Sequence, residues 1–88
     1  MQLSLLVSPL ARGAFFGEYL EAAHAELSGF LGDPGTHRRV GQLDFLDCAA
    51  SDAQLEGLAR LSFVHGIFEQ DGGQLRPLDI EASFDLHP

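Results

Sequence analysis

From about Arg12 onward the apolar residues fall at steps of three and four: Phe15, Phe16, Tyr19, Leu20, Ala23, Leu27, Phe30 and Leu31. That spacing puts one apolar stripe along an α-helix, with Glu18, Glu21 and Glu26 on the opposite side. An isolated helix of this length is marginal in water, so its stripe must be laid on a second layer. The residues on either side supply that layer. Leu3, Leu5 and Val7 alternate with Gln2, Ser4 and Leu6, the period of a strand, and Pro9 ends the ladder because it cannot donate to it.

The helix is expected to stop near Gly29 or Gly32, where glycine accepts the left-handed conformation found just past helix ends. Asp33-Pro34-Gly35-Thr36 reads as a turn. Val40 to Asp47 reads as a second strand, with Leu43 and Phe45 on one face and Gln42 and Asp44 on the other. Ser51-Asp52-Ala53-Gln54 matches a capping box, and Leu55, Leu58 and Ala59 give the short helix behind it an apolar stripe. Ser62 to Glu69 reads as a third strand, apolar on both faces, with Phe63 and Ile67 on one and Val64 and Phe68 on the other. Such a strand belongs in the middle of a sheet, covered on both sides. Gln70-Asp71-Gly72-Gly73 is a hairpin turn, and Leu75 to Leu78 returns as a fourth strand that Pro77 assigns to an edge.

The expected architecture is therefore α+β: a single open-faced layer of four or five strands, ordered β-α-β-α-β-β, with two helices on one face and a ferredoxin-like character. Eighty-eight residues leave room for one domain, placed at 1–78. From Asp79 to His87 the chain alternates strictly, with Ile80, Ala82, Phe84 and Leu86 against polar neighbours, so 79–88 reads as an extended arm or an extra strand. With both helices on one side, Val64 and Phe68, together with Leu6 and Leu46, would crowd the other side of the sheet. Soluble monomers rarely expose such a patch. Val64, Phe68, Ile80, Phe84 and Leu86 are thus the candidate partner interface, for another protein, a catalytic domain or a second copy.

Charge narrows the classes further. Five arginines and no lysine stand against thirteen carboxylates, a formal net charge of −8. A P-loop needs its lysine, and indiscriminate nucleic-acid binding needs a basic surface, so neither fits. One cysteine cannot staple a disulfide-dense secreted fold. The N-terminal apolar stretch lacks the leading positive charge of a signal peptide, and no run approaches the roughly 20 apolar residues of a membrane span. A cytoplasmic protein with no membrane partner is expected.

Chemistry-bearing residues are sparse. His24, His37, His65 and His87 lack the close pairing of metal ligands on one element. Asp44, Asp47 and Cys48 could form an oxygen–sulfur cluster, although carboxylates at strand ends more often face water. Cys48 with His65 and Asp47 could be a nucleophile, base and orienter, but a lone cysteine at a strand end is usually a small buried apolar residue. Gly29, Gly32 and Gly35 follow a helix, whereas a dinucleotide fingerprint opens one. His37-Arg38-Arg39 is the only basic cluster and the candidate phosphate or RNA contact; the simpler account is a solvated pair offsetting nearby acids. Glu18, Glu21 and Glu26 are either a water-facing surface or a phosphate mimic for a basic partner. No catalytic residue and no cofactor is assigned.

The segment Leu61-Ser62-Phe63-Val64-His65-Gly66-Ile67-Phe68-Glu69, followed by Gly72-Gly73-Gln74-Leu75-Arg76-Pro77-Leu78-Asp79, resembles a stretch near the N-terminus of bacterial S-adenosylmethionine-dependent methyltransferases of the tRNA guanine-N2 type. In that family a small ferredoxin-like or THUMP-associated domain precedes a Rossmann-type catalytic domain. The resemblance implies an accessory domain, with Phe84-Asp85-Leu86-His87-Pro88 near the junction. The family's Asp/Asn-Pro-Pro-aromatic loop and glycine-rich cofactor turn have no counterpart in these residues, so none of its catalytic positions transfers. The expected function is a non-enzymatic module that positions RNA or docks on a catalytic domain. The alternative is a free-standing acidic inhibitor or nucleic-acid mimic that binds a basic protein.

Overall fold

The computed structural model describes residues 1–7 and 15–78. Its elements run β1 (Gln2–Val7), α1 (Phe16–Leu31), β2 (Thr36–Val40), β3 (Leu43–Ala49), a 3₁₀ turn (Asp52–Gln54), α2 (Leu55–Ala59), β4 (Val64–Asp71) and β5 (Gln74–Pro77). The five strands form one sheet in the order β2-β3-β1-β4-β5, antiparallel at every junction. The α+β class expected from the sequence is the class observed.

Helix α1 ends where glycine allows it. Gly32 takes φ +79° and its N–H bonds the Ser28 carbonyl, so the expected stop holds at the second of the two candidate glycines. The turn that follows is locked from within: Asp33 Oδ1 accepts the Gly35 N–H at 2.9 Å, and His24 Nδ1 lies 2.6 Å from the Pro34 carbonyl. Gly35 has φ +78°, and a Cβ there would sit 2.8 Å from Leu27 Cδ2, so both backbone and space demand glycine. The Ser51–Gln54 capping box is present, with the Ser51 N–H bonding Gln54 Oε1 at 2.9 Å. It opens a 3₁₀ turn that runs on into α2.

The second strand expected over 40–47 is two strands. Gly41, at φ +64°, reverses the chain between Val40 and Leu43, and β2 pairs back along β3 from Val40↔Leu43 to Thr36↔Asp47. His37, Arg38 and Arg39 therefore lie on a regular edge strand.

One face of the sheet carries both helices. Leu3 and Leu5 of β1, Leu46 and Cys48 of β3, and Ile67 of β4 share a buried cluster with Ala23 and Leu27 of α1 and Leu58 and Ala59 of α2. Phe16, Tyr19, Leu20 and Leu31 pack against it half-buried, which bears out most of the α1 stripe. Phe15 and Phe30 do not follow: Phe15 precedes the helix and is 73% exposed, and Phe30 is 40% exposed, its ring set against Gly57 of α2 and not in the buried cluster.

Two residues expected on the helix-free face lie in this core instead. Leu46 is fully buried opposite Leu5. Val64 is buried because the β1–β4 register slips by one residue: Leu6 pairs with Gly66, but Val7 pairs with Val64. The extra residue, His65, makes a bulge that turns Val64 back onto the helical side, among the core residues. Ile80, Phe84 and Leu86, the other expected interface residues apart from Phe68, lie outside the described residues, as does His87. No helix among the described residues is long and apolar enough to cross a membrane.

Candidate contact surface

Register sorts the helix-free face. Alternation along β1 gives it Gln2, Ser4 and Leu6; their β3 partners Ala49, Asp47 and Phe45 lie beside them. Edge strand β2 adds Thr36, Arg38 and Val40. Strand β4 adds Gly66, Phe68 and Gln70, and β5 adds Leu75 and Pro77. Of the interface residues expected from the sequence and described in the structure, Phe68 is on this face.

Two different textures meet there. Toward the β2–β3 turn the surface is apolar: Val40 and Leu43 pair with each other and are each 44% exposed. Next to them Phe45 is only 2% exposed, flanked in register by Arg38 and Leu6. The Phe45 and Phe68 rings meet edge to face, centroids 5.7 Å apart, the arrangement that ring quadrupoles favour. Gly66 makes room for that ring; a Cβ there would lie 3.3 Å from Phe68 Cε1.

The other texture is polar and fully bonded. Ser4, on the central strand, is completely buried. Its hydroxyl donates to Asp47 Oδ1 at 2.6 Å and accepts from Arg38 Nη2 at 2.9 Å and Gln70 Nε2 at 3.2 Å. Arg38 also sets its Nε 2.8 Å from Asp47 Oδ2. A serine on a buried row would be costly without partners, and here each of its bonding positions is filled.

The basic cluster splits across the sheet. Arg38 is on the helix-free face, whereas His37 and Arg39 reach the helical side and converge on Asp44 Oδ1, at 2.9 and 3.0 Å. Asp44 is almost wholly buried, and the His37 ring lies tilted against Phe16 of α1. Each of the three basic side chains thus has a carboxylate partner within the fold. The Arg38 and Arg39 side chains stay 42% and 52% exposed.

The other candidates are dispersed. Asp44 and Asp47 point to opposite faces, so they do not join Cys48 as one ligand set; among the described residues no group of three or more potential ligands occurs. Cys48 is buried on the helical face, whereas Asp47 is on the other face and His65 is exposed at the bulge at the start of β4. Burial, with Asp33 and Asp47 adding to it, pushes the Cys48 thiol up to about 11, away from the thiolate a nucleophile requires. On α1, Glu18 and Glu21 are exposed, but Glu26 is not a free acid. Its carboxylate accepts the Ser62 N–H at 3.0 Å and the Ser62 hydroxyl at 2.6 Å, tying α1 to the turn ahead of β4. Burial, and then the Glu26 charge, also raise Tyr19.

Sequence reasoning missed Ser4, Phe45 and Gln70 as one assembly. Their common face follows from register alone, and nothing in the chain's spacing announces that β1 runs between β3 and β4. No protein-family model, curated protein or solved structure matches this chain.

Proposed function

We propose that this chain works by contact, as a non-catalytic accessory module whose helix-free sheet face docks on a protein partner. The observation that carries the reading is the exposed apolar end of that face, Val40 and Leu43, with the half-buried Leu6 and Phe68 on the same face. The adjoining polar groups are held in internal bonds, so the face is rigid and shaped before any partner arrives. The candidate nucleophile Cys48 is likewise held by burial, and the candidate phosphate contacts are held by carboxylates: His37 and Arg39 by Asp44, and Arg38 by Asp47.

The finer reading is a ferredoxin-like layer of the kind that precedes the catalytic domain in S-adenosylmethionine-dependent RNA methyltransferases. Its support is the run β1-α1-β2-β3-α2-β4 laid out as β2-β3-β1-β4, with β5 added beyond β4. In this reading the partner is the catalytic domain, and RNA is reached through it; Arg38 and Arg39 at the sheet edge are the nearest groups for phosphate.

The test is titration of the labelled chain with a tRNA guanine-N2 methyltransferase catalytic domain, alone and with tRNA. Val40→Asp with Leu43→Asp is expected to weaken that binding at least tenfold, while Glu18→Lys with Glu21→Lys leaves it unchanged. Binding that instead collapses with added salt and with the helix reversal points to the acidic-mimic reading, in which exposed Glu18 and Glu21 occupy a basic groove. Binding insensitive to both variants overturns the proposal.

A further inference from the structure

We draw no further inference here: the strongest candidate, the apolar end of the helix-free sheet face around Val40, Leu43 and Phe68, belongs to the surface already described, and nothing in the structure shows what covers it.

Discussion

Replacing Phe45 by alanine asks whether the helix-free face contributes to stability or merely lies open. A phenylalanine that is 2% exposed has nearly all of its ring out of water. Burying an aromatic side chain removes about 150–250 Å², which at about 25 cal/mol per Å² amounts to roughly 4–6 kcal/mol. Alanine keeps part of that burial, and Phe→Ala changes at buried sites cost about 3–5 kcal/mol. A domain of this size has only about 4–13 kcal/mol in total. The variant is therefore expected to lose at least about 12 °C in Tm, with a lower urea midpoint and an unchanged slope. Phe15→Ala, at 73% exposure, is the matched control and should stay within about 0.5 kcal/mol of the parent. A double-mutant cycle with Phe68→Ala should return a coupling of about 0.5–1.5 kcal/mol from the edge-to-face contact. A Phe45→Ala loss below about 1 kcal/mol, or a coupling of zero, would refute the assignment of this ring to a packed second face.

Gly35→Ala should cost about 2 kcal/mol or more, because the left-handed φ and the 2.8 Å approach to Leu27 act together, whereas Gly41→Ala, with open space around it, should cost only about 1 kcal/mol; paired thermal melts separate the two. Cys48 sets a pH dependence: its folded value of about 11 lies above the ordinary 9.0, so the unfolded chain releases the proton first. The stability tied to the neutral thiol is complete below pH 9 and falls as pH rises toward 11, by roughly 2–3 kcal/mol in all, and Cys48→Ala should flatten that part of the denaturation profile. Alkylation of Cys48 at pH 8 should be slow in the native protein and fast in urea; equal rates would contradict its burial. Glu26→Ala should lower stability by about 1–2 kcal/mol by releasing Ser62, with amide exchange speeding first in the turn ahead of β4.

How far the fold could be read in advance depended on whether a residue's surroundings were local. Most of the α1 stripe, the Gly32 stop, the Ser51–Gln54 cap and the Gly72-Gly73 hairpin are set by neighbours a few positions away and lie where their residues placed them; Phe15 and Phe30 are the exceptions in the stripe. Strand β2 was invisible because every residue of Thr36–Val40 is exposed, and an edge strand with no buried side leaves no alternation to detect. Gly41 was the available sign: a glycine between Val40 and Leu43 marks a reversal, and reading straight through it merged two strands. Val64 went to the wrong face for a different reason. Parity along β4 holds only until the register shifts, and the shift depends on pairing with β1, some sixty positions earlier in the chain. Among the candidate residues, the exposed acids Glu18 and Glu21 of α1 and the half-buried Phe68 of the helix-free face were legible from spacing. Glu26 was not, because its partner Ser62 lies in another element.

The serine hydroxyl at the middle of the sheet has a mechanical consequence. Its bonds come from β2, β3 and β4 while its own backbone belongs to β1, so four of the five strands are latched on a single oxygen. Peeling the outer arginine strand away would break one of that oxygen's three bonds and the Arg38–Asp47 pair, so loss at the rim is felt at the centre. Those four strands should come apart together, in one step, rather than unzipping from the edge.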